Sequence, residues 1–396
     1  MAQGELRIGV EQRRARLARR HFLAPGGAGT EPEEVARGMV ALHGTDPATV
    51  YLAAAARLAT PKVDEIEHAL YERRSLIRML GMRRTMFVLT LDVAPAVQAA
   101  CTDAIAVAER KRLLEHLRLA GAGGDEGWLA DVERSTVEAL AARGNATAAQ
   151  LAGDEPRLRT QLTMAEGKAY QAVQNITTRV LMGLSAQGRI VRGRPRGSWI
   201  SSQYQWSTLE AWLPGGLPAI DAESARLDLA RRWLASYGPG TAADLKWWTG
   251  WTMTQAKATL SKMDAVPVDL DGMPGFVLPG DAGPVPEPEP WVALLPALDP
   301  TVMGWVGRDW YLGEYAPALF DRSGNPAPTV WCDGRVVGGW AQAADGRVVV
   351  RLFEDVGRPA SVAVDDAAAR LTDWLGPVRV TPRFRTPLER ELSAEP

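Results

Sequence analysis

The spacing of apolar positions divides the chain into units of one build. Residues 143–151 read RGNATAAQL and residues 237–245 read YGPGTAADL. In each, a glycine that ends one helix (Gly144, Gly238) precedes Thr-Ala-Ala-(Gln/Asp)-Leu, and the apolar positions that follow keep helical spacing. Thr147 with Gln150 fits a capping box, and Thr241 with Asp244 is its shorter acidic variant. Thr30-x-x-Glu33 is a third such start and opens the helix EEVARGMVAL.

The same order of elements follows each start. In the last copy, TAADLKWW and TMTQAKATLSKM are helices around Thr249-Gly250, and VPVDL-DG-MPGFVL reads as a hairpin turning at Asp271-Gly272. In the first, EEVARGMVAL, HGTDP and the helix ATVYLAAAARL lead, after a further helix, to the hairpin LIRMLGMRRTMFVLTL, with Arg83 and Arg84 near its tip. In the middle copy, KAYQAVQNITTRVLMGLSAQ reads as one long helix before the Arg-rich hairpin GRIVRGRPRGSWIS. Helix, turn, helix, hairpin is the order of a winged helix-turn-helix. We therefore expect three tandem winged helices at residues 7–95, 128–207 and 222–285, with a helical connector over 96–127. After the Pro/acid linker DAGPVPEPEP, residues 291–390 turn β-rich (WVALLPAL, TVMGWV, PTVWCDGRVVGGWAQ, RVVVRLF, PVRVTPRF), interrupted by the helix SVAVDDAAARLTDWLG. The predicted fold is α+β, mainly helical: three winged helices and a C-terminal β-barrel-like domain.

Composition narrows the function. Hydrophobic residues make up 46% of the 396, enough for packed cores, and no apolar run is long enough to span a membrane. Cys101 and Cys332 with His21, His43, His68 and His116 form no metal-ligand spacing, so we expect no metal and no cofactor. Walker, Rossmann and nucleophile-elbow motifs are absent. A monomer in the cytoplasm, associated with the nucleoid, is the expectation. The net charge of −2 conceals an asymmetry. Residues 1–210 carry 28 Lys/Arg against 23 Asp/Glu, whereas the remainder carries 17 against 24. Thirteen of the 14 Trp lie after position 198. An anionic partner would therefore meet the front of the molecule.

Several segments together resemble the bacterial winged-helix DNA glycosylases of the AlkZ and YcaQ crosslink-repair family. They are RRARLARRHFLAP, VALHGTDPATVYLAAAARL, RSLIRMLGMRRTMFVL, YGPGTAADLKWWTG, LLPALDPTVMG and GNPAPTVWCDGRVVGGW. The resemblance implies a concave DNA channel and excision of bulky alkylated or crosslinked purines without metal or cofactor. The family's Gln-x-Gln or Gln-x-Asp motif falls at His43-Gly44-Thr45, with Asp46 next, and a family His in the first wing falls at Phe87.

Hydrolysis of an N-glycosidic bond needs a positioned water and stabilisation of a cationic sugar. His43 can orient or deprotonate a water, Thr45 can orient one, and Asp46 can act as base or electrostatic stabiliser. Asp46 before Pro47 also fits a plain helix N-cap, and His43 a residue at a helix end without chemistry. Arg189, Arg192, Arg194 and Arg196, alternating along the second hairpin, are candidate DNA contacts, as are Arg83 and Arg84. Trp247, Trp248 and Trp251 read as core, and Asp299 and Arg335 as structural. The leading expectation is a monofunctional DNA glycosylase acting on double-stranded DNA. The alternatives are a non-catalytic DNA-binding protein (a lesion sensor or transcriptional regulator) and a protein-binding scaffold.

Overall fold

Three stretches of chain close small sheets in one strand order. The computed structural model describes residues 6–122, 124–164 and 172–395. In the first stretch, helices Val10–Arg20 and Pro32–Gly38 precede the short strand Leu42–His43, helices Pro47–Ala55 and Val63–Glu67, and the hairpin Leu76–Gly81/Thr85–Thr90. The short strand lies beside the returning hairpin strand, with Leu42 opposite Val88 and Leu76 opposite Thr90. In the second, helix Glu126–Arg143, strand Ala146–Thr147, helices Ala148–Asp154 and Thr177–Ala186, and hairpin Ile190–Pro195/Tyr204–Thr208 repeat that order. In the third, helices Ala222–Tyr237, Ala242–Thr249 and Met253–Lys262 lead to hairpin Val266–Leu270/Met273–Val277. There a bridge from Gly240 to Phe276 replaces the short strand.

Local chemistry sets these elements. Capping boxes close at Thr147/Gln150 and Thr241/Asp244 as predicted, and a further one at Thr252/Gln255. Asp271 and Gly272 have φ of 53° and 90°, the paired positive angles of a tight hairpin turn. The predicted box at Thr30 is displaced. Its partner is Glu34, which accepts from the Thr30 N–H at 2.8 Å, while Pro32 opens the helix and Glu33 takes Arg73 and Ser75. EEVARGMVAL stops at Gly38 because Val40 turns left-handed (φ 60°) and sends the chain into the strand.

Two expectations fail more broadly. The long helix through KAYQAVQNITTRV begins only at Thr177. Ala172–Asn175 pairs as a strand with Gln161–Met164, and 165–171 lie outside the described residues. Val173 and Ile176, before that start, are β-branched, which disfavours helix interior there. The C-terminal region is no closed barrel among the described residues. It is an open four-stranded antiparallel sheet, Val292–Leu295, Thr329–Cys332, Arg335–Gln342 and Val348–Leu352, in that order. TVMGWV forms turns and PVRVTPRF runs irregularly, with Pro377 and Pro382 withholding ladder donors. Helix Arg358–Leu375 packs on the sheet's outer strands. None of the helices, among the described residues, is long and apolar enough to cross a membrane.

One core joins the first stretch, the third and the C-terminal sheet and takes in Val191 and Trp199 of the second, whose remaining core packs around Leu117, Leu129, Leu140, Leu184 and Trp206. Of the three tryptophans predicted as core, Trp248 and Trp251 are buried, whereas Trp247 is half-buried at the edge of the core. The main junction is a fully buried ion pair. Arg57, at the end of helix Pro47–Ala55, meets Asp299 of LLPALDP at 2.6 Å, with both side chains at 0% exposure. Arg57 also donates to Thr301 Oγ1 at 2.8 Å. Thr301 is 2.9 Å from His21 Nδ1, and His21 Nε2 is 3.2 Å from the Ser236 carbonyl. A carbonyl only accepts, so Nε2 carries the ring proton and Thr301 donates to Nδ1. This chain of bonds fixes the C-terminal sheet against the first stretch.

Candidate active site

The segment His43-Gly44-Thr45-Asp46 is a turn clamped from three sides. Its first residue ends a strand, opposite Phe87. The Gly44 N–H donates to Met86 O at 2.7 Å, and Arg78 Nη1 donates to Gly44 O at 2.8 Å. A Cβ on Gly44 would stand 3.0 Å from that Nη1, so the close approach of Arg78 favours glycine here. The turn ends where Asp46 caps helix Pro47–Ala55, accepting from the Ala48 N–H at 3.1 Å. Its other oxygen accepts from the backbone N–H of Arg383, in the C-terminal tail, at 2.9 Å. Arg383 Nη1 is also 3.5 Å from Thr45 O.

The three candidate catalytic residues therefore sit within one turn, in unlike environments. His43 is 5% exposed, its ring edge-on to Phe87 at 5.4 Å. Burial, and then the positive charge of Arg83, push its pKa down to about 3, so the ring is neutral at physiological pH. The Thr45 N–H points at Nδ1 from 3.5 Å, which leaves Nε2 with the proton. A ring so disposed donates one hydrogen bond and is a poor proton acceptor. Asp46 is 6% exposed. Burial pushes its carboxyl above the ordinary aspartate value, against the two backbone N–H donors and the charges of Arg383 and Arg78. A more basic carboxylate suits a general base. Beside it lies a cavity of about 20 Å³, shared with Thr49, Trp340 and Gln342. That is room for one water molecule.

The six candidate DNA-binding arginines have separate surroundings. Arg83, at a left-handed turn residue (φ 53°), lies over the Trp247 ring at 3.9 Å. Arg84 is exposed and pairs with Glu109 at 3.0 Å. Arg189 stands 4.0 Å from Glu133. Arg192 packs over Tyr204 and Trp206 at 5.3 and 5.1 Å, and burial pulls its pKa down to about 10. Arg194 turns toward the first stretch, bound to Glu67 and Glu72 and lying over Tyr71 at 4.8 Å. Arg196 is exposed at the hairpin tip. Arg192 and Arg194 share strand parity, but the pairing with Tyr204–Thr208 slips between Arg192 and Pro195, Glu67 and Glu72 draw Arg194 aside, and Arg196 lies past the strand's end, so the four arginines do not form one surface.

The sequence reading passed over Arg78, Tyr204 and Arg383. Arg78, 2% exposed, lies over the Tyr204 ring at 4.9 Å, so Arg78 and Arg192 share one ring. Its Nε and Nη2 are buried without a hydrogen-bond partner. A cation inside the apolar run LIRMLG was the available signal. A groove of about 740 Å³ is lined by Arg84, Glu109, Gln174, Asn175, Thr177 and Met182, and by none of the turn's residues.

Comparison with known proteins follows the same lines. The profile of the family described as "DNA glycosylase AlkZ-like" matches residues 36–374. Among solved structures, Streptomyces sahachiroi DNA glycosylase AlkZ superposes with a TM-score of 0.73 at 21% identity, covering 95% of this chain and 99% of that one. At that identity the superposition speaks for the fold. No curated protein matches by sequence. The family match spans most of the chain, including the turn, the hairpins and the C-terminal sheet, and the protein belongs to the AlkZ-like DNA glycosylase family.

Proposed function

We propose that the chain is a monofunctional DNA glycosylase that removes alkylated or crosslinked purines from double-stranded DNA. In this reading the three repeats are winged helices over 7–95, 128–207 and 222–285, joined by the connector 96–127 and followed by the C-terminal domain over 291–390. They act as a monomer and need no cofactor. The observation that carries the reading is the setting of the His43–Asp46 turn: a carboxylate with raised basicity next to a water-sized cavity, between arginines held on aromatic rings.

An N7-alkylated purine carries positive charge while attached and departs neutral with the electron pair of the broken bond, so departure needs little acid assistance. Asp46 orients the water and takes its proton as the sugar–base bond breaks. His43, neutral, donates from Nε2 to fix the water or the sugar, and Thr45 lends its hydroxyl. Arg84, Arg189 and Arg196 hold phosphates on the flanking backbone. Arg192 and Arg194 shape the hairpin from within, and Arg83 is taken up below.

One observation favours a second reading, a DNA-binding protein without chemistry. Both His43 and Asp46 are nearly enclosed, and Asp46 serves as a helix cap. The two are separated by incubating the protein with duplexes bearing N7-methylguanine, bulkier N7 adducts and an interstrand crosslink. Release of base with formation of abasic sites supports the glycosylase. Salt-dependent duplex binding with no abasic sites on any substrate establishes the second reading instead.

A further inference from the structure

Where the first and third repeats meet, two guanidiniums lie on one indole. Arg83 sits over the Trp247 ring at 3.9 Å and Arg308 over the same ring at 4.8 Å. Arg308 also lies 4.7 Å over the Phe320 ring. Arg83, Trp247 and Arg308 come from three places: the first hairpin's turn, helix Ala242–Thr249 and the segment before Asp309–Leu312. The joint is rigid. Gly250, with φ 82°, ends its helix directly under Arg83, where an added Cβ would lie 3.2 Å from the Arg83 N. Trp251 Nε1 donates to Ala100 O at 3.0 Å just behind it.

Neither guanidinium forms an ion pair among the described residues, although the chain is net acidic and Arg84, Arg189 and Arg194 each stand by a carboxylate. Burial and the neighbouring charge of Arg308 together lower the Arg83 pKa to about 10. Arg308 gives its Nε to Trp305 O at 3.0 Å, and the Arg83 Nε is buried without an acceptor. Both residues remain half-exposed. Stacking on a ring occupies the flat face of a guanidinium and leaves its in-plane N–H edge free for an anion. Two adjacent like charges, held in place without a counter-charge, make a site that an anion would relieve.

We propose that Arg83 and Arg308, braced on Trp247, form a two-arginine clamp for a DNA backbone phosphodiester next to His43. The proposal rests on the DNA-binding reading above and adds to it a site built from the C-terminal domain. The clamp sets how far the strand enters between the first and third repeats, and so which nucleotide faces the motif turn.

The test is equilibrium binding of an undamaged 25-base-pair duplex to the full-length protein across a salt series. Wild type is compared with Arg308→Gln, Arg83→Gln and the double variant, and each protein's melting temperature is recorded. Each lost phosphate contact lowers the magnitude of the log K against log[salt] slope by about 0.9, and affinity at fixed salt falls about five- to tenfold. Arg308→Lys keeps the slope but binds more weakly, because the planar fork is gone. If Arg83→Gln does not fold, Arg308→Gln alone carries the test. A folded Arg308→Gln protein with wild-type slope and affinity overturns the clamp and leaves the DNA reading standing. A wild-type protein that fails to bind duplex even at low salt overturns both.

Discussion

Asp46 and Arg383 are joined across the domain boundary: the backbone N–H of Arg383 donates to Asp46 Oδ2 at 2.9 Å, while Asp46 Oδ1 accepts from Ala48. The carboxylate thus has two donors, one from its own helix and one from the C-terminal tail. An amide offers one oxygen in their place. Asp46→Asn keeps the helix cap and loses the tail bond, so it should cost roughly 1–2 kcal/mol of stability. Urea unfolding monitored by Trp fluorescence measures this. An unchanged midpoint would show that the tail bond contributes nothing.

The buried junction is far more sensitive. Arg57→Ala strands the Asp299 carboxylate at 0% exposure. The expected loss is about 3–5 kcal/mol, as for other buried pairs broken on one side. Replacing Arg335, half-exposed and paired with Glu354 at 2.8 Å, should change stability by under about 1 kcal/mol. Comparable losses from the two substitutions would contradict this ordering.

Stability should also fall in mild acid. His43 has its pKa pushed down to about 3, and His21 is pushed well below the usual value by burial and by Arg57. In the unfolded chain both titrate near 6.5. The unfolded state then binds protons that the folded state does not, so stability is present above about pH 6.5 and drains away below it. His43 alone accounts for about 2 kcal/mol between pH 7 and pH 5. The melting temperature measured across that interval should drop, and His43→Gln should flatten the drop. A flat wild-type profile contradicts the neutral assignment.

The four hairpin arginines should separate in a binding assay. Arg196→Ala lowers the salt slope of duplex binding by about 0.9, because that side chain is exposed and free to meet phosphate. Arg194→Ala leaves the slope nearly unchanged, because Glu67 and Glu72 already neutralise it. Equal effects of the two would mean that the hairpin presents both to DNA.

Much of this architecture could be read from particular residues. Thr147, Thr241 and Asp271-Gly272 mark backbone events governed by local chemistry, and the repeat followed from their recurrence. Side-chain direction was harder. Arg192 and Arg194 look alike in sequence, yet a slip in strand register after Arg192 and the carboxylates Glu67 and Glu72, more than a hundred positions away, set their different partners. The site was legible as the turn His43–Asp46 but not as a junction, because Arg78, Tyr204 and Arg383 reach it only through tertiary packing. Alternation reports strands without reporting closure, so a pattern that predicts a barrel is equally that of the open C-terminal sheet.

In the proposed reaction Asp46 takes the proton of the attacking water. Its most direct test is single-turnover release of base from an N7-methylguanine duplex by wild type and Asp46→Asn, at saturating protein and pH 7. Wild type should form abasic sites, and the step should be at least tenfold slower in the variant, about 1.4 kcal/mol or more of barrier, with duplex affinity preserved. Equal rates in the two proteins would contradict this role for Asp46.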